Sequence, residues 1–112
     1  MEKYTGSASV VTVPDGITLI DSYAFKDCIS LKKVILPESL VGIGSSAFEG
    51  CTSLTEAILS GNLASIGSSA FKGCTSLTEI TLPTGLTKID YGTFEGCTSL
   101  KKNHPARRTY FD

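Results

Sequence analysis

The stretch Ile43-Gly44-Ser45-Ser46-Ala47-Phe48-Glu49-Gly50-Cys51-Thr52-Ser53-Leu54 returns 23 residues later as Ile66-Gly67-Ser68-Ser69-Ala70-Phe71-Lys72-Gly73-Cys74-Thr75-Ser76-Leu77. The step holds outward in both directions. The four Cys are Cys28, Cys51, Cys74 and Cys97, and four of the five Phe are Phe25, Phe48, Phe71 and Phe94. Leu31, Leu54, Leu77 and Leu100 keep the interval, as do Ile20, Ile43, Ile66 and Ile89, and Ile17, Leu40, Leu63 and Leu86. The columns Val11/Val34/Ala57/Ile80 and Val13/Leu36/Leu59/Leu82 complete the set. Four units of 23 residues run from Val11 to Lys102 without an insertion. One such unit cannot bury its apolar side alone, whereas stacked units share a continuous core. The spacing therefore predicts a solenoid.

Local chemistry fills in the unit. Val34-Ile35-Leu36 and Ile80-Thr81-Leu82 are short, β-rich and followed by Pro, which reads as a strand with a stop. Strand side chains alternate, so the outer two residues point inward and the middle one outward. Ser45-Ser46-Ala47-Phe48-Glu49-Gly50-Cys51 offers caps at its start and Gly before Cys at its end. It reads as one helical or 3₁₀ turn. Gly42-Ile43-Gly44 lacks the third Gly of a dinucleotide loop and reads as a tight bend. Each unit is thus a strand, a bend and a tight turn carrying Ala-Phe.

Composition excludes several classes. The 112 residues make one small domain, 41% hydrophobic and 19% charged, with net charge −1. That balance argues against a nucleic-acid binder, which shows a basic patch or stripe. No apolar run approaches the roughly 18 residues of a membrane span. The start, Met1-Glu2-Lys3-Tyr4-Thr5-Gly6-Ser7, lacks the layout of a signal peptide.

The pattern resembles the leucine-rich repeats, and most of all the BspA-like (Treponema-type) subfamily. The carrying motif is Ile43-x3-Ala47-Phe48-x2-Cys51-x2-Leu54-x2-Ala57-x-Leu59, repeated from Ile66 to Leu82-Pro83. It covers residues 11–102. Ala57 stands where Val or Ile is usual, Ser60 replaces Pro and Thr93 replaces Ala. The resemblance implies an α/β solenoid of four 23-residue units, each with a short parallel strand on a concave face and a short helical or 3₁₀ turn. It also implies binding or adhesion rather than catalysis, commonly at a cell surface. Without a signal peptide in the chain, a cytoplasmic place stays open.

Equivalent residues of neighbouring units lie about 5 Å apart, so columns become ladders. The Cys ladder reads as buried thiols packing as small hydrophobes. No Cys-x2-Cys pair is present to suggest zinc, and no metal or cofactor is expected. The Phe ladder reads as a core spine. Lys26, Glu49, Lys72 and Glu95 alternate in sign as an exposed ladder. Lys33, Glu56, Glu79 and Lys102 border the strands and set two acids side by side. Thr12, Ile35, Ile58 and Thr81 are the outward middle positions, which leaves Ile35 and Ile58 exposed and adjacent. The candidate partner-binding set is therefore Thr12, Ile35, Ile58, Thr81, Lys33, Glu56 and Glu79. No catalytic set emerges, since His104, the only His, lies outside the repeats.

The ends differ from the body. Residues 1–10 read as a lead-in with no separate cap, and 103–112 as a basic tail. Over 1–100, six Lys/Arg oppose ten Asp/Glu, giving −4; over 101–112, four oppose one, giving +3. Tyr110 and Phe111 could close the last unit, or the tail could be displayed to a partner. Four strands of roughly 12 Å at about 5 Å spacing make a strip near 240 Å². A standard interface takes about 800 Å² per partner, so further repeats, a dimer, or the convex side and tail would have to contribute. The expected function is a non-enzymatic module binding a protein or an extended surface ligand. The alternatives are end-to-end assembly and a carrier that displays its tail. Membrane insertion is not expected.

Overall fold

The computed structural model describes residues 1–86, 89, 90 and 92–100. Seven short strands follow in chain order: β1 (Val10–Thr12), β2 (Leu19–Ile20), β3 (Lys33–Ile35), β4 (Gly42–Ile43), β5 (Glu56–Ile58), β6 (Ser65–Ile66) and β7 (Glu79–Ile80). The odd strands form a parallel sheet in the order β1-β3-β5-β7, and the even strands a second sheet, β2-β4-β6. Every pairing joins residues 23 apart, as in Val11↔Val34, Val34↔Ala57 and Ala57↔Ile80. Ile20↔Ile43 and Ile43↔Ile66 repeat that step on the second sheet. The chain is a parallel β-solenoid, and its sequence period is its strand register.

The second sheet departs from the sequence reading. Gly42-Ile43 is a strand rather than only a bend. Small residues permit this close approach. A Cβ on Gly44 would fall 2.5 Å from the Ser22 backbone nitrogen, and one on Gly67 equally near that of Ser45.

The Ala-Phe stretch also differs from the expected helical or 3₁₀ turn. No helix occurs among the described residues. The stretch is a chain of tight turns in which amides alternate between two duties. The N–H groups of Ala47, Glu49 and Cys51 donate to the carbonyls three residues back, on Gly44, Ser46 and Phe48. Those of Ser46, Phe48 and Gly50 donate across to Ser68, Ala70 and Lys72 of the next coil. A helix would keep all of them within its own turn. Left-handed backbone at Ser46 (φ 56°) and Gly50 (φ 77°) produces the alternation.

Inward positions fill the core. Val34, Leu36, Leu54, Leu77 and Ile80 are buried, with Phe25, Phe48 and Phe71 fully enclosed. The rings stack nearly parallel, with centroid separations of 4.9 Å for Phe25–Phe48, 5.2 Å for Phe48–Phe71 and 5.7 Å for Phe71–Phe94. Tyr4 extends the spine, its ring 5.1 Å from Phe25 and its N–H donating to the Ala24 carbonyl. The segment expected as a bare lead-in therefore covers the first coil. Tyr4 is two residues out of step with the Phe column, which is why the period does not reveal it.

Thr93 breaks the Ala24/Ala47/Ala70 column. It is buried, and its Oγ1 has no hydrogen-bond partner. A buried hydroxyl left unpaired costs about 1–3 kcal/mol. Thr93→Ala is expected to raise stability by about 1 kcal/mol, read from urea unfolding midpoints; a destabilised variant would refute this assignment.

Candidate functional site

Outward residues of the odd strands build the candidate face. Thr12, Ile35 and Ile58 are register partners at the ends of β1, β3 and β5. Thr12 is exposed, Ile35 is half-buried and Ile58 is 41% exposed. Thr81 is exposed and lies one residue beyond β7. Lys33, Glu56 and Glu79 open β3, β5 and β7 as register partners. The structure thus brings six of the seven candidates onto one sheet, with Thr81 at its border.

Electrostatics on this face are uneven. Lys33 Nζ lies 3.7 Å from Glu56 Oε1, with both side chains well exposed to water. Such a pair is worth at most about 1 kcal/mol. Glu79 sits beside Glu56 in the register, and no ion pair to it occurs among the described residues. Lys102, expected to flank it, lies outside the described residues. An open groove of about 550 Å³ runs along this side, with Glu56, Ile58, Ser60, Gly61, Glu79 and Thr81 in its lining.

The other charged column behaves differently. Lys72 reaches Glu95 at 4.0 Å, whereas Lys26 turns to its neighbour Asp27 at 3.6 Å. The alternating ladder is therefore one rung among the described residues, not a continuous stack.

The Cys ladder is structural. All four thiols are free. Cys51 Sγ donates to the Phe25 carbonyl at 3.1 Å, Cys74 Sγ to Phe48 at 3.1 Å and Cys97 Sγ to Phe71 at 3.0 Å. Each thiol thus satisfies a carbonyl of the preceding coil. Burial pushes the Cys51 thiol up to about 12. The neighbouring Cys97 thiol, together with burial, raises Cys74 as well. Cys51 and Cys74 are protonated packing groups, the reverse of the low-pKa environment of a reactive thiol. Among the described residues no three His, Cys, Asp or Glu side chains gather to hold a metal ion. No helix there is long and apolar enough to cross a membrane.

A ladder of parallel strands at a 23-residue step, with an Ala-Phe turn and a Cys beneath it, defines a class of repeat protein. Residues 3–109 match the family described as the BspA type leucine rich repeat region (6 copies). The chain belongs to this family, whose members are generally interaction or surface proteins rather than enzymes. It is similar to a leucine rich cell surface protein from Faecalibacterium prausnitzii, with 33% identity and a TM-score of 0.86 over 90% of this chain and 27% of that one. A leucine rich repeat protein of T. pallidum is 29% identical, with a TM-score of 0.71 over 91% of this chain and 61% of that one. A leucine-rich repeat protein from Bacteroides capillosus is 27% identical, with a TM-score of 0.72, and 79% of it is covered. The chain thus spans about a quarter and three fifths of the first two relatives. No curated protein matches it.

Proposed function

We propose that the protein is a non-enzymatic interaction module that binds a protein through the outward face of the odd strands, the concave face of the family. The observation that carries this is the placement of Ile35 and Ile58. They are register partners on a sheet surface, and Ile58 remains 41% exposed. Ile35, expected to be exposed, is half-buried, so the apolar contact centres on Ile58, and an exposed apolar residue flanked by charges is a common contact chemistry. The F. prausnitzii relative is called a cell surface protein, which supports a surface location. The contact area of a few short strands is small against about 800 Å², so the partner must also touch the turns, the tail or further repeats.

A random peptide display library selected on the folded protein supplies probes. Ile35→Ser/Ile58→Ser should weaken the selected peptides at least about tenfold, a loss of about 1.4 kcal/mol, while circular dichroism and the urea midpoint show a folded chain. Unchanged affinity in the folded variant would sink this site.

A second reading is end-to-end assembly. It is favoured by β1, which forms an edge of its sheet and carries Val10 at 52% exposure. Light scattering separates the two readings, because a strictly monomeric protein at every concentration rules out assembly. A displayed tail, the third reading, concerns residues 103–112, which lie outside the described residues; unchanged peptide binding after their deletion counts against it.

A further inference from the structure

The coils differ just beyond the odd strands. The first column there is Pro14, Pro37, Ser60, Pro83, and the second is Asp15, Glu38, Gly61, Thr84. Three coils place a proline and a side chain at this point. The third places Ser60-Gly61. Ser60 turns inward and is fully buried, its Oγ donating to the Glu38 carbonyl at 3.2 Å and accepting from the Asn62 N–H at 2.9 Å. Gly61 is exposed but places no side chain on the surface. The groove of about 550 Å³ lies at this break and has Ser60 and Gly61 in its wall. The broken column therefore marks where the face is hollowed.

The chemistry of the hollow selects its occupant. Glu56 and Glu79 are register partners on adjacent strands, which places their backbones about 5 Å apart. Lys33 balances Glu56 from the far side, and no described residue forms an ion pair with Glu79. Among the described residues, two carboxylates with one cation make this rim acidic. Ile58, two residues after Glu56, points to the same side of its strand and offers an apolar rest. A long side chain with an aliphatic stem and a cationic head complements all three. Arginine suits better than lysine, because its planar fork reaches two carboxylates at once.

We propose that the groove at the Ser60-Gly61 break is a recognition pocket for one arginine of an extended protein segment lying along the odd-strand face. The proposal rests on the concave-face reading above and deepens it. The stem packs on Ile58, the guanidinium bridges Glu79 and Glu56, and the missing proline makes the room.

The test is an NMR titration with two short extended peptides of Thr and Val. One carries a central arginine, and the other carries citrulline, which keeps the shape without the charge. The arginine peptide should bind at least about tenfold tighter, the scale of one charged hydrogen-bonded contact, with amide shifts centred on Ile58, Gly61 and Glu79. Glu79→Gln should remove that preference. Ser60→Pro/Gly61→Thr should fill the pocket and abolish it. This variant should keep the fold, because Pro37 and Pro83 accept from Leu40 and Leu86 the bond that Ser60 accepts from Leu63. Equal binding of the two peptides, binding untouched by the filled pocket, or no binding of the arginine peptide at millimolar concentration overturns the proposal. If Ile35→Ser/Ile58→Ser abolishes binding while Glu79→Gln and the filled pocket do not, the concave-face reading stands and the arginine pocket falls.

Discussion

Phe48→Ala is expected to cost about 4 kcal/mol of folding stability. Phe48 is completely buried, with Phe25 at 4.9 Å on one side and Phe71 at 5.2 Å on the other. Truncating a buried Phe loses its transfer free energy and leaves a cavity, about 3–5 kcal/mol together. Two stacked contacts, each worth about 0.5–1.5 kcal/mol beyond burial, go with it. Coils in a solenoid touch only their neighbours, so a void in the middle of the spine weakens the joint between two halves. Total stability is on the order of 5–15 kcal/mol, and the loss takes a large share of it. Phe48→Leu keeps most of the burial and should lose much less. Phe94, 6% exposed, should tolerate alanine better than Phe48. Urea unfolding of the three variants checks the order, and a Phe48→Ala loss below about 1 kcal/mol would refute the spine.

The second large effect is on thiol reactivity. The Cys51 thiol, ordinarily near 9.0, is pushed up to about 12 by burial. At pH 8 this lowers the reactive thiolate population about a thousandfold. Cys51 and Cys74 should therefore resist iodoacetamide in the folded protein, while the half-buried Cys28 and Cys97 react first. Peptide mass mapping of a labelling time course reads this directly, and labelling of Cys51 at the rate of an exposed thiol would contradict it. The same shift sets a pH dependence. The folded thiol keeps its proton to higher pH than the unfolded one. Its contribution to stability is whole below pH 9 and is lost as the pH rises toward 12. The slope is about 1.4 kcal/mol per pH unit for each such thiol. Unfolding midpoints should thus fall steeply across that window and stay level between pH 7 and 8.5.

Most of the fold was legible because the solenoid makes it a one-dimensional problem. The Phe, Cys, Leu and Ile columns repeat at the strand register itself, and alternation alone placed Val34 and Leu36 inside and Ile35 outside. The missed features depend on contacts across coils. Ser46 looks like a helix cap, yet its N–H goes to Ser68 of the next coil. No local propensity encodes that choice. Tyr4 joins the aromatic stack two residues out of step, which a strict period hides. Gly42-Ile43 reads as a bend until its parallel partners are present. Within the candidate face, Ile58 and the Glu56/Glu79 pair were visible as columns. The exchange of Pro for Ser60 was visible too, but only as a weakened unit; the groove depends on the inward turn of its side chain, which sequence does not show.

The most direct test of the interaction face is an amide-shift map of the folded protein with a display-selected peptide bound. Shifts centred on residues 33–35, 56–58 and 79–81 are expected. Shifts centred on the turns at 24–28, 47–51 and 70–74, with the odd strands silent, would contradict a concave binding face.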